Sequence, residues 1–217
     1  MRCLLSCLPL LAAAACAAPE PEPTPLVESV VLETFFTGGE PLADWRRLGD
    51  ATYEVDAVTG TLTGSGRNLP RNAFLVSAGT YRDFELQLEV KIEPGGNSGV
   101  QVRSQVDWPG QRLWGYQVEV DPSERAWSGG LYDEGRRGWL ADLADNPAAR
   151  EAFVVGDWNH YRIRCEGPRI RTWVNGVPGV DHVDAGEDLD LEGHLAFQVH
   201  GGERADVAFR AVTLREL

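Results

Sequence analysis

Basic charge is scarce in this chain. Twenty Lys and Arg stand against 33 Asp and Glu, for a formal net charge of −13. That balance excludes nucleic acid as a partner, because a polyanion needs a basic footprint to bind. Lys91 is the only lysine and the remaining basic residues are Arg, a ratio on which no functional conclusion rests. Cysteine is also rare. Cys3, Cys7 and Cys16 fall in the first sixteen residues and only Cys165 lies beyond them. A domain with one Cys makes no internal disulfide and has to be held by packing. Within "YRIRCEG", on an expected strand and with no fixed partner, Cys165 reads as a structural thiol rather than a nucleophile. Helical periodicity is nearly missing, with only "LADLADNPAAREAF" (140–153) able to hold a turn or two.

What is present starts with an export segment. Arg2 forms a short positive region, followed by the apolar "CLLSCLPLLAAAA", too short to span a bilayer as a helix. The small-residue run before Cys16 resembles a bacterial lipoprotein cleavage box, so residues 1–16 are expected to be a signal peptide ending in a lipidated Cys16. Ala13 stands where Leu is usual, and ordinary export is the alternative. Residues 17–26 contain "APEPEPTP", an alternation of Pro and acid expected to be an extended tether. One globular domain is expected over 27–217, in an exported protein, periplasmic or anchored to the outer membrane and touching the membrane only through its N-terminal lipid.

That domain is rich in Gly (24) and Trp (7), and it reads as strands and turns. "FELQLEVKI" (84–92) alternates strictly, with Phe84, Leu86, Leu88, Val90 and Ile92 on one face. "SGVQVRS", "GYQVEVD", "HYRIRCEG", "IRTWVNGV", "GHLAFQVHG" and "DVAFRAVTL" follow, and Asn175-Gly176 marks a tight hairpin. Many short strands with frequent turns predict an all-β fold, a β-sandwich or jelly roll.

The polar faces of these strands differ. Glu85, Gln87, Glu89 and Lys91 make an ordinary solvated face. In three other strands the polar set is Gln101 and Arg103; Gln117, Glu119 and Asp121; and Gln198 with His200. If those strands are neighbours, an acid, an imidazole and a guanidinium converge on one surface and can transfer protons and stabilise an oxyanion. Periodicity alone leaves open that each simply faces solvent. The loop "WSGGLYDEGRRGWL" adds Asp133, Glu134, Arg136, Arg137 and Trp139, the last either a sugar-stacking platform or a lid on the core.

"FELQLEVKIEPGGNSGVQVRS", "GYQVEVD", "GGLYDEGRRGWL", "WNHYRI", "IRTWVNGV" and "GHLAFQVHG", in this order, resemble the 3-keto-disaccharide hydrolase family. The resemblance implies a concanavalin A-like jelly roll acting on glycosides oxidised at C3, downstream of a sugar 3-oxidoreductase. It implies loss of the C2 proton, elimination of the C1 substituent and addition of water. Carried onto this chain, the base is Glu119 or His200, and Arg103 supports the developing oxyanion. Gln117 and Gln198 bind sugar hydroxyls, with Asp121 at the rim and Asp133, Glu134, Arg137 and Trp139 as further substrate contacts. A divalent cation held by some of Glu119, Asp121 and His200 is compatible with such ligands. Other members often read Glu-x-Gln where this chain reads Gln117-x-Glu119, which moves the acid one step along the strand and leaves the assignment of the base open.

Two rivals differ in class. A β-glucanase of the same fold needs paired carboxylates across the scissile bond. Here the first position is Gln117, while Glu119 and Asp121 project from the same side of one strand, about 7 Å apart by strand rise. A carbohydrate-binding module without chemistry would use the same Gln, Asp, Arg and Trp.

Overall fold

The computed structural model describes residues 32–217. The expected signal segment, Cys16 and the tether lie outside the described residues. The chain forms two antiparallel sheets packed face to face. One runs in the order β13 (Val177–Val183), β12 (Arg169–Val174), β11 (Asn159–Glu166), β6 (Phe84–Ile92), β15 (Gly202–Glu216), β4 (Thr61–Leu69) and β3 (Thr52–Asp56), with β1 (Leu32–Thr34) also paired to β15. The other runs β10 (Gly138–Ala141), β9 (Leu131–Glu134), β8 (Arg112–Val120), β7 (Ser98–Asp107), β14 (Gly193–Val199), β5 (Ala73–Tyr81) and β2 (Trp45–Leu48). This is the expected all-β, jelly-roll-like sandwich.

Alternation explains the core. Phe84, Leu86, Leu88, Val90 and Ile92 of β6 are buried against Val100, Val102, Tyr116, Val118, Val120, Leu195, Phe197 and Val199 of the seven-stranded sheet. An aromatic group of Phe36, Trp45, Phe197 and Phe209 fills one end, with successive ring centroids 4.7–5.6 Å apart. Asn175 and Gly176 have φ of 50° and 82° and join β12 to β13, the positive-φ pair that a two-residue hairpin demands. Among the described residues the one α-helical turn, α1 (Pro147–Arg150), has Pro at its start and is capped by Asn146. Cys165 is fully buried and its thiol is pushed up to about 12 by burial, which keeps it unreactive at neutral pH.

Two local departures from simple alternation stand out. Glu85, on the outward face of β6, is buried beneath Arg162, whose Nη2 lies 2.7 Å from its carboxylate. β7 carries a bulge between Val102 and Gln105, with Arg103 at φ 51°. The extra residue breaks the period-two pattern and re-aims the Arg103 side chain. Its guanidinium is fully buried and donates to Arg82 O (2.5 Å), Gly167 O (2.6 Å) and Asp83 Oδ1 (2.8 Å). It ties the turn between β5 and β6 to the turn between β11 and β12.

Candidate functional site

The outer face of the seven-stranded sheet carries the unusual polar set. Register places Gly99 opposite Glu119, Gln101 opposite Gln117, and Ala196 opposite Gln101. Gln101, Gln117, Glu119 and Gln198 therefore share one face across three neighbouring strands. All four are at most 4% exposed, so this is not a washed surface.

Their side chains form a directed chain of hydrogen bonds. Ser104 Oγ donates to Gln101 Oε1 (2.7 Å), and Gln101 Nε2 donates to Gln117 Oε1 (2.6 Å). Gln198 Nε2 donates to that same oxygen at 2.8 Å. Gln117 Nε2 then donates to Glu119 Oε2 (2.9 Å), while Asn97 Nδ2 donates to Glu119 Oε1 (2.8 Å). With both oxygens accepting, Glu119 is held in one orientation. Burial pushes its pKa up; the hydrogen bonds from Asn97 and Gln117 oppose that shift without cancelling it. Gly99 makes the arrangement possible: a Cβ there would sit 2.3 Å from Gln117 Cδ.

Above this floor is a cavity of about 280 Å³ lined by Asn72, Asn97, Gln117, Glu119, Arg125, Tyr132, Glu134, Trp139, Gln198 and His200. Such a volume is at the small end for a ligand site (about 300–1,000 Å³). Gln198 Oε1 is buried and has no protein partner, leaving an acceptor for a ligand hydroxyl. Arg125 reaches over Glu119, with Nη2 3.4 Å from its Oε1 and Nε 2.7 Å from Asp121 Oδ2. The rings of Trp127 and Trp139 each lie 5.0 Å from its guanidinium carbon. At the far end, Asn72 Nδ2 donates to Glu134 Oε1 at 3.1 Å. Burial raises the Glu134 pKa, partly offset by that hydrogen bond and by nearby His200. His200 Nδ1 lies 2.6 Å from Gly201 O. A carbonyl only accepts, so Nδ1 carries the proton and Nε2 remains available.

The residues singled out from the sequence divide into two groups. Glu119, His200, Gln117, Gln198, Glu134 and Trp139 line the cavity together. Arg103, Asp133 and Arg137 do not. Arg103 is turned away by the bulge. Asp133 alternates with Glu134 on β9, is fully buried, and binds Arg136 and Arg137. Arg137 also pairs with Asp184 at 2.7 Å. Asp121 stands just behind the cavity as the anchor of Arg125. Burial alone would raise its carboxyl, but hydrogen bonds from Ser123 and Arg125 outweigh that and hold it below the ordinary value. Its oxygens are thereby committed. Among the described residues no group of three or more His, Cys, Asp or Glu is arranged to hold a metal ion.

Residues 32–215 match the family described as the 3-keto-alpha-glucoside-1,2-lyase-like domain. The chain belongs to that family. No curated protein matches it. Among solved structures, this lyase-like domain is similar to the carbohydrate-binding module CBM66 from Bacillus subtilis (18% identity, TM-score 0.60, covering 84% of this chain and 99% of that one). It is similar to a Bacillus subtilis protein of unknown function with a galectin-like fold (13%, 0.62, covering 86% and 94%). A β-1,3-1,4-glucanase (lichenase) derived from a mouse hindgut metagenome also aligns (13%, 0.55, covering 86% and 98%). At these identities the likeness is one of fold.

Four residues that line the cavity of this lyase-like domain escaped sequence reasoning: Asn72, Asn97, Arg125 and Tyr132. Two had a usable signal. Asn97 shares the parity of Gly99 and Gln101, and Tyr132 shares that of Glu134. Arg125 sits in a loop and Asn72 in a turn, where no periodicity operates.

Proposed function

We propose that this domain cleaves glycosides oxidised at C3 by proton abstraction and elimination, followed by hydration. Family membership establishes a carbohydrate-active class, and the state of Glu119 carries the finer reading. A buried carboxylate of raised pKa, fixed by two amide donors and facing an open cavity beside a guanidinium, is suited to act as a base toward a carbon acid.

The ketone at C3 acidifies the C2–H bond. Glu119 takes that proton, and the C2–H electron pair forms the C2=C3 enolate, whose oxygen carries the negative charge. Arg125, held in place by Asp121 and the two Trp rings, supplies the opposing charge. It takes the role that the sequence reading gave to Arg103. The enolate then re-forms the C3 ketone and expels the C1 oxygen, leaving a C1=C2 double bond. Glu134, with His200 beside it, protonates the departing oxygen. Water adds at C1 and gives its proton to Glu134, and C2 takes a proton from the Glu119 carboxyl after that carboxyl has exchanged with solvent, so the net reaction is hydrolysis. The glutamine row binds ring hydroxyls, with Gln198 Oε1 as the unpaired acceptor.

Glu119 and Glu134 suit two roles at two ends of the cavity. Glu134 pairs with Gly115 on β8, four residues before Glu119, so their backbones are about 13 Å apart along the strand at ~3.3 Å per residue. The test uses residues 17–217 with 3-keto-glycosides and their unoxidised counterparts, with and without chelator. Turnover restricted to the keto-sugars and lost in Glu119→Gln supports the proposal. Sugar binding with no turnover of any substrate contradicts it and leaves a carbohydrate-binding domain. Export and lipid anchoring at Cys16 belong to the same proposal and are read from the mass of the mature protein.

A further inference from the structure

The Asn72–Glu134 bridge separates the catalytic cavity from a second one. This neighbour, about 390 Å³, is lined by Leu48, Gly49, Arg71, Asn72, Phe74, Gln111, Arg112, Leu113 and Glu134. Asn72 and Glu134 line both spaces. Asn72 is fixed as the partition: its Oδ1 accepts from Gly201 N at 2.9 Å while its Nδ2 donates to Glu134. A bond whose oxygen is protonated by Glu134 therefore lies at the doorway, with the ketone-bearing sugar on one side and its C1 substituent on the other.

The chemistry of the second cavity differs from that of the first. Its floor is apolar. Leu48, Phe74 and Leu113 belong to a small hydrophobic cluster, with Val76 and Ala196, on the outer face of the sheet. Its rim is cationic. Arg71 and Arg112 are exposed, and among the described residues neither makes an ion pair or a side-chain hydrogen bond. Most guanidiniums around the sandwich are paired, including Arg136, Arg137, Arg162 and Arg169. In a chain of net charge −13, two guanidiniums without an ion pair over an apolar floor form a local exception, with Arg112 5.8 Å from the Trp114 ring and Glu134 the one acid in the lining.

We propose that this cavity is a leaving-group subsite, selective for glycosides whose C1 substituent joins an apolar ring to an anionic group. The ring lies on Leu48, Phe74 and Leu113, and the anion meets Arg71 and Arg112 through charge-assisted hydrogen bonds. The assignment of the leaving group to this side rests on the elimination reading above. Discrimination by exposed arginines is modest, about tenfold for the two together.

The test separates binding from turnover. Calorimetry compares unoxidised 4-carboxyphenyl and phenyl α-glucosides on the wild-type domain and on the Arg71→Ala/Arg112→Ala variant. The subsite predicts about tenfold tighter binding of the carboxylate in the wild type, falling to near parity in the variant and reversing in Arg112→Glu. Equal affinities in the wild type, or an advantage that survives in the variants, overturns it. The corresponding 3-keto-glycosides are then assayed, with kcat/KM referred to the methyl 3-keto-glycoside, whose leaving group cannot fill the second cavity. An arginine-dependent preference in that ratio supports placing the leaving group there. If the methyl compound is not turned over while arginine-dependent binding persists, elimination fails and the anion subsite stands. If the methyl compound is turned over but the ratio does not respond to the arginines, the leaving-group assignment is overturned.

Discussion

Gly99 is the residue on which the site's shape most depends. Its missing side chain leaves room for Gln117, and Gln117 orients Glu119. Gly99→Ala forces Gln117 aside and breaks that link. Expected is a stability loss of about 1–3 kcal/mol from overpacking, with kcat reduced about tenfold or more because the base is no longer held. Urea denaturation and initial rates check the two parts separately. Asn97 tests the electrostatics. Its hydrogen bond favours the ionised carboxylate, so Asn97→Ala raises the Glu119 pKa further. A base works deprotonated, so activity rises with pH through that pKa. The acid limb of kcat/KM in the wild type therefore lies above the ordinary glutamate range and moves to higher pH in the variant. A limb that stays put after Asn97→Ala contradicts Glu119 as the base.

Among the elements, β6 and β7 show what the sequence could and could not reveal. In β6 the alternation of "FELQLEVKI" gives the strand its observed limits and its core face, because burial on one side is a period-two property that residue order alone records. β7 starts with the same alternation and then breaks it. A bulge depends on how the partner strand is registered, and nothing near Arg103 announces it. The same limit applies to Asn72, whose partner Glu134 is 62 residues away, and to Arg125, whose position comes from Asp121 and two Trp rings. The face holding Gln117, Glu119, Gln198 and His200 was legible; the loops that close over it were not. The bulge also carries a prediction. Arg103→Met leaves Arg82 O and Gly167 O without their donor and is expected to cost about 3 kcal/mol in stability. Rates measured on the folded fraction, well below the denaturation midpoint, should change little. A specific loss of kcat at full stability would return Arg103 to the chemistry.

Taken as a whole, the molecule balances buried carboxylates of opposite character. Asp184 accepts from Arg137 and from Tyr116 (2.5 Å), and the Arg137 guanidinium holds its carboxyl far below the usual range. A depressed pKa contributes stability that is present above the ordinary carboxylate pKa and lost as pH falls toward the folded value. Asp184→Asn is therefore expected to destabilise by about 2 kcal/mol at pH 6, and the gap to wild type should narrow on going to pH 3. Glu119 and Glu134 act in the other direction. Their raised pKa values mean that ionising them at neutral pH costs stability, a cost relieved as pH falls. Glu119 and Glu134 both line the cavity, where perturbed carboxylates suit a reactive site.

Proton removal from C2 is the central claim, and hydrogen isotopes at that carbon report on it directly. A 3-keto-glycoside carrying deuterium at C2 would be compared with its protium form in wild-type protein and in Glu119→Gln. The account predicts a primary isotope effect on wild-type turnover, deuterium lost from C2 of the product, and no measurable turnover or C2 exchange in the variant. Product that retains its C2 deuterium, or a variant that exchanges C2 as fast as wild type, would contradict it.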